Sequence, residues 1–129
     1  MMPRRSFQRR LRWSGLSEVR RGDVFLVDFN PARGSEQAGY RPAVIVQNDV
    51  GNRLSPTVII AAVTTAGGKT YPFLVRLKAG EGGLERESMV NAAQILTIDK
   101  SRLVKKLGSL SVEKIDEVNQ ALKVSLDLE

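Results

Sequence analysis

The sequence of 129 residues contains no cysteine and no histidine, and its aromatic side chains are only four Phe, two Tyr and one Trp. Without cysteine there is neither a disulfide framework nor a thiolate metal site, which fits a reducing, cytoplasmic setting. Without histidine the one side chain that titrates near neutrality when unperturbed is missing, so imidazole acid–base catalysis is excluded. The two absences together leave zinc without its usual ligands. No apolar run approaches the roughly 20 residues that cross a bilayer, so no membrane span is expected. The Arg-rich start also lacks the apolar centre of a secretory signal. Any chemistry here has to come from Arg, Lys, Glu, Asp, Ser, Thr and Tyr.

The formal net charge is +6 and the isoelectric point is near 10.1, which at first suggests a polyanion partner. The charge is not spread over the chain. Residues 1–21 hold seven of the 20 basic side chains and one of the 14 acidic ones, leaving 13 of each sign in 22–129. The body is therefore neutral, and a nucleic acid would have to meet a local patch rather than a global field. Residues 1–19 read as a basic arm outside the fold, with Phe7 and Trp13 set among its arginines; such composition favours disorder over a fixed contact. Residues 20–129 suit a single domain.

From Asp23 onward, short β-branched and aromatic runs alternate with turn signals. DVFLVDFN, RPAVIVQND, TVIIAAVTT (57–65) and YPFLVRL (71–77) read as four strands, and SMVNAAQILTI (88–98) as one bent strand or two short ones. NDVGNR (48–53) reads as a connecting turn that leaves Asn52 and Arg53 facing outward. Asp99 is placed to cap a brief helical turn, and KKLGSL to add a short strand. In SVEKIDEVNQALKVSLDL, Ser111 is a candidate N-cap, and Val112, Ile115, Val118, Leu122 and Leu126 recur at helical spacing. Several short strands closed by one helix predict a mainly β, α+β domain: a small, strongly curved antiparallel sheet or barrel with helical cover.

One loop has more functional groups than a turn requires. Between the first two strands, Arg33, Ser35, Glu36, Gln37 and Arg41 are punctuated by Pro31, Gly34, Gly39 and Pro42. Composition alone favours an ordinary exposed loop, since Gly-Ser is a common linker pair. Arg41 differs because Pro42 follows it and biases it toward an extended backbone, fixing the direction of a planar donor fork suited to phosphate. Thr64 and Thr65 end the third strand, where a hairpin-like return would bring them near the start of the second. Thr is also simply a good strand residue.

In their order along the chain, these segments resemble the MazF/PemK family of toxin endoribonucleases. The resemblance is carried by RRGDVFLVDFNPARGSEQAGYRPAVIVQND, GNRLSPTVIIAAVTT, YPFLVRL, ERESMVNAAQI and SVEKIDEVNQAL, about residues 20–125. GSEQ followed by GxRPxxV, NR.SPT and the AAxT strand end is a specific combination. It implies a CcdB/PemK-like, SH3-like barrel with a C-terminal helix, acting as a homodimer. It further implies cofactor-free, metal-independent cleavage of single-stranded RNA to a 2′,3′-cyclic phosphate and a 5′-hydroxyl, and a cognate antitoxin that occupies the RNA groove. The family's catalytic pair falls on Arg41 and Thr64, with Glu36 of GSEQ as a third participant. RNA contacts carried over from the family fall on Arg21, Ser35, Gln37, Asn52, Ser88 and Gln94. Ala93 stands where some relatives carry Glu, and the arginine arm is outside the family pattern.

The residue inventory agrees with that chemistry. Attack by a 2′-hydroxyl requires its deprotonation, stabilisation of the charge on phosphorus and protonation of the departing 5′-oxygen. Arg41 suits stabilisation, Thr64 suits hydrogen bonding to a phosphate oxygen or the 2′-hydroxyl, and Glu36 is the group with base-like chemistry. Tyr40 reads as packed on the barrel rather than stacked on a base. Two other readings use the same fold: a non-catalytic, CcdB-like gyrase inhibitor and a barrel that binds nucleic acid passively. The first is weakened by a C-terminus, KVSLDLE, that has no aromatic residue.

Overall fold

The computed structural model describes residues 18–30 and 39–129. Among them are six strands: β1 (Asp23–Asp28), β2 (Tyr40–Ile45), β3 (Thr57–Thr65), β4 (Leu74–Leu77), β5 (Ser88–Asp99) and β6 (Leu103–Ser109). A short helix α1 (Asp49–Leu54) joins β2 to β3, and a longer helix α2 (Val112–Leu126) follows β6. Single 3-10 turns occupy Glu81–Gly83 and Lys100–Arg102. All pairings are antiparallel, in the order β4-β5-β3-β2-β1-β6. Among the described residues no ladder joins β4 to β6, so the sheet is curved but open. Its bends coincide with register breaks in β1/β6 and between Ala61 and Ala62 of β3, where an irregular ladder sharpens the local twist.

The central strands are apolar without strict alternation because both faces of the sheet are covered. Val24, Val44, Ala61, Val63, Val75, Leu77 and Val90 point to one side, where Val118 and Ala121 of α2 close the first core cluster. Phe25, Val27, Ala43, Ile45, Val58, Ile60 and Leu103 point to the other and form a second cluster. Burying a side chain such as Phe25 contributes about 1.5–3 kcal/mol, so contiguous runs like VIIAAV are what a sheet with two cores requires. Val19, assigned to the arm by sequence, is 7% exposed within the second cluster, so the packed domain includes it. At the edge, Gly83 (φ +75°) lies so close to β6 that a Cβ there would overlap the carbonyl of Leu107.

Three expectations need correction. The connecting turn at 48–53 is helix α1, nucleated by the Asn48 side chain, which accepts a hydrogen bond from the Gly51 amide at 2.8 Å. On α2, Ser111 caps the helix through the Lys114 amide as the sequence indicated, yet Val112 is 82% exposed and Leu126 53%. The inner part of the predicted stripe does pack, with Val118 buried beside Ala121 and Ile115 and Leu122 partly buried against the core, so only its two end residues lie outside it. Tyr40 is exposed rather than packed, since it alternates with Arg41 at the very start of β2.

Candidate active site

Arg41 is the second residue of β2 and pairs across the ladder with Val27 of β1. The β2/β3 register runs Ala43↔Ala62, Val44↔Ala61 and Ile45↔Ile60. Continued two residues along both strands, the same register sets Arg41 opposite Thr64. Alternation along each strand then places Arg41 with Ala43 and Ile45, and Thr64 with Ala62 and Ile60, all on the face of the second cluster. Both residues are half-buried. Among the described residues neither side chain has a hydrogen-bond or ion-pair partner. In this extended register a donor fork and a hydroxyl that both donates and accepts come to the same level of the sheet, their capacity unspent among the described residues.

Row by row, the ladder extends this placement. Thr64 pairs with Met89 of β5, and Met89 with Arg76 of β4. Arg76 is exposed on the same face as Thr64, and its guanidinium has no partner among the described residues. One row further along, Ala62 pairs with Asn91, a half-buried amide residue whose Oδ1 accepts from the Ala93 amide at 2.9 Å. Neither Arg76 nor Asn91 was singled out from sequence. The available signals were a lone polar residue in the apolar run SMVNAA and a lone cation in FLVRL, and neither is distinctive without the register.

The other candidate residues are distributed differently. Ser35, Glu36 and Gln37 lie outside the described residues. Gln94 is exposed on β5, inside an irregularity in which residues 92–94 have no β3 partner between Asn91↔Ala62 and Ile95↔Ala61. It lies beyond the Ala62 row, on the side away from the Thr64↔Met89 pair. Arg21 lies at the opposite end of β2, where Nε donates to the Val46 carbonyl at 2.9 Å; Val46 is five residue steps from Arg41, about 17 Å of extended chain.

Two expected contacts are internal instead. Asn52 is 3% exposed: its amide nitrogen donates to the Gln47 carbonyl and to Asp49 Oδ1, both at 3.0 Å, while its Oδ1 accepts from Gln47 Nε2 at 3.1 Å. It fastens α1 to the end of β2, with its hydrogen-bonding capacity spent indoors. Ser88 is 7% exposed and pairs with Thr65 and Leu77, on the face opposite to Thr64. Its Oγ donates to the Arg86 carbonyl at 2.9 Å.

Electrostatics differ between the two ends of the sheet. Near α1, Asp49 takes a hydrogen bond from the Arg21 amide at 2.7 Å, and this bond, with that from Asn52, holds its carboxyl below the ordinary value of 3.8. A polar hollow of about 150 Å³ lies there, lined by Glu18, Val19, Arg20, Asp49 and Arg53. At the other end, the roots of the loop carrying Glu36 are tied together beside Arg41. The Phe29 amide donates to the Gly39 carbonyl, and the Gly39 amide donates to Asn30 Oδ1, both at 2.9 Å.

The domain is a curved antiparallel sheet with two apolar faces and one long closing helix, and Arg41 and Thr64, without partners among the described residues, stand where two of its central strands begin and end. Residues 20–126 match the profile of the PemK-like, MazF-like toxins of type II toxin–antitoxin systems, and the chain belongs to that family. It is 49% identical over 111 residues to the Endoribonuclease MazF of Staphylococcus saprophyticus, covering 85% of this chain and 92% of that one. It is 48% identical over 111 residues to Endoribonuclease EndoA of Bacillus subtilis, covering 85% and 96%. Among solved structures, a mycobacterial endoribonuclease in complex with its cognate antitoxin superposes with a TM-score of 0.73 at 29% identity, over 86% of this chain and 97% of that one.

Proposed function

We propose that this protein is the toxin of a toxin–antitoxin module and a sequence-specific, metal-independent endoribonuclease that cleaves single-stranded RNA in the cytoplasm and so arrests translation. The observation that carries the reading is the β2/β3 register, which sets Arg41 opposite Thr64 on one face of the sheet. The identity of nearly one half to two endoribonucleases adds to it.

In the reaction, the 2′-oxygen bonds to the adjacent phosphorus, the bond from phosphorus to the 5′-oxygen breaks, and a 2′,3′-cyclic phosphate and a 5′-hydroxyl result. One proton leaves the 2′-hydroxyl and one reaches the departing 5′-oxygen. Arg41 meets the charge that builds on the non-bridging oxygens, the term in which preorganised donors contribute most. Thr64 holds a phosphate oxygen or the 2′-hydroxyl by a hydrogen bond. Glu36 takes the proton from the 2′-hydroxyl, being the group of the three whose conjugate base is populated at neutral pH. Gln94, with Ser35 and Gln37 from the loop, reads the edges of unstacked bases, the usual mode for single strands. Arg21 contacts the strand away from the cleaved bond.

The working species is a homodimer, and a cognate antitoxin occludes the RNA groove. Leu54 and Leu96, 77% and 42% exposed, supply apolar surface suited to a second copy. Purified protein should release 5′-hydroxyl ends at a short recurring motif in single-stranded RNA, read by end-specific sequencing. Undiminished cleavage by folded Arg41→Ala would remove Arg41 from the mechanism, and absence of cleavage by the wild type would remove the nuclease reading itself.

A further inference from the structure

Arg102 stands outside every contact assigned above, yet it makes the longest-range tie to the neighbourhood of Arg41. It ends the 3-10 turn Lys100–Arg102, which is capped where Asp99 Oδ1 accepts from the Ser101 amide at 2.8 Å. From there its Nη1 donates to two backbone carbonyls, Asp28 at 3.0 Å and Asn30 at 2.7 Å, more than seventy residues earlier in the chain. Those carbonyls flank the last turn of chain before the loop departs. The same short stretch is bonded twice more: the Asn30 amide donates to Asp28 Oδ1 at 2.8 Å, and Asn30 Oδ1 accepts from the Gly39 amide. Gly39 sits at φ +101°, a conformation that favours glycine, and is followed by Tyr40, the ladder partner of Asp28, and then by Arg41.

We infer that Arg102 is a positioning residue for the Arg41–Thr64 pair. The guanidinium fixes the backbone of residues 28–30 against the start of β6, Asn30 transmits that position to Gly39, and the β2 backbone inherits it two residues later at Arg41. A charged donor bridging two carbonyls forms a stronger and more directional tie than a neutral hydrogen bond. Arg suits the task because its charge persists at every working pH and its fork is rigid. The ladder alone leaves freedom here, because β1 and β6 pair with a register shift between Leu26 and Val27, immediately before the clamped residues. Arg102 offsets the loosened pairing at the point where the catalytic strand begins. Its position also connects β5, which carries Gln94 and Asn91, to the root of the loop, so the base-reading strand and the reacting strand share one brace.

This inference rests on the RNA-cleaving reading, and its test separates the two. Cleavage of a short single-stranded RNA should be followed at saturating and subsaturating concentrations for the wild type, Arg102→Ala, Arg102→Lys and Asn30→Ala. Arg102→Ala is expected to lower kcat by ten- to a hundredfold, the scale of a misplacement of about 1 Å in a catalytic group, with KM within about threefold. Arg102→Lys should recover part of the loss, since an ammonium keeps one of the two bonds. Asn30→Ala removes the next link and should give the same split between kcat and KM, and the double variant should lose no more than the worse single one. Unchanged kcat in folded Arg102→Ala overturns the inference, as does a loss confined to KM. If Arg102→Ala does not fold, Asn30→Ala decides: an unaltered kcat there overturns the inference and a reduced one supports it. Failure of the wild type to cleave RNA at all would instead refute the proposed function, leaving the positioning role with no reaction to serve.

Discussion

The β2/β3 register, carried two residues beyond its last paired position, Ala43↔Ala62, brings Arg41 level with Thr64. Each is half-buried on the face of the second core cluster, and neither has a partner among the described residues. Arg41 is held by a strand that begins at Tyr40 and Thr64 by one that ends at Thr65, so rigid backbone supplies both. Removing the Arg41 guanidinium with Ala should lower kcat by about a hundred- to a thousandfold, as for loss of one preorganised donor at a developing anion. Thr64→Ser should retain most activity and Thr64→Val should lose it, because the proposed mechanism uses the hydroxyl and not the methyl. Single-turnover cleavage of a short RNA checks all three, and equal rates for the Ser and Val variants would remove Thr64 from the chemistry.

Arg76 shares the row of Thr64 and Met89 and faces the same side. On the proposed function, a cation there is placed to meet the phosphate backbone of an RNA strand laid across the sheet. Arg76→Ala should weaken binding of an uncleavable RNA by a similar factor for every sequence. It should also flatten the plot of log affinity against log salt by about 0.7, the share of one phosphate contact on a single strand. An unaltered salt slope would place the strand elsewhere.

Asn52 separates structural from recognition roles. Its bonds to Gln47 are buried, and Asn52→Ala removes the partner of the Gln47 carbonyl, while Gln47 Nε2 keeps the Thr57 carbonyl and Asp49 keeps the Arg21 amide, so the change should cost about 1–3 kcal/mol of stability. Denaturant unfolding measures that loss. RNA affinity of the remaining folded protein should be unchanged, and a specific loss of affinity without a loss of stability would restore Asn52 to the RNA surface.

Asp49 introduces an acid-dependent contribution to stability. Its folded-state pKa lies below the ordinary 3.8, chiefly because the Arg21 amide donates to the charged carboxylate. A depressed carboxyl pKa stabilises the fold in full above the unfolded value, and that contribution is lost as pH falls through the folded one. Stability should therefore decline below about pH 4, and Asp49→Asn should be less stable at neutral pH with a shallower decline in acid. Thermal unfolding from pH 2 to 7 tests this, and parallel curves for the two proteins would exclude Asp49 as the cause.

Much of the architecture was legible because local rules and tertiary demands agree. TVIIAAVTT is apolar and β-branched between polar ends, and β3 spans Thr57–Thr65 as the sequence indicated. Ser111 caps α2, and Asp99 caps the turn before β6, because a short side-chain acceptor at a chain reversal has few other uses. Helix α1 escaped notice because six residues are too few to display a helical period. The MazF-like pattern carried RNA contacts onto Asn52 and Ser88, whose side chains are buried.

The sequence by itself determined the chemical inventory: no imidazole, no thiol, an Arg fixed by the Pro after it, and a domain whose body is electrically neutral. It also determined which segments are strands, since β-branched runs express a preference that each residue carries locally. Only the tertiary structure decided which of the polar groups face one another. In a sheet that choice is made by register, and a shift of one residue would send a side chain to the other face. Register here depends on the ladder between strands and on the irregularities at Ala61/Ala62 and in β1, which are collective properties of the packed sheet. For that reason Arg76 joins the row of Thr64, Ser88 turns to the opposite core, and Arg102 reaches back across the chain to the strand end beside Arg41.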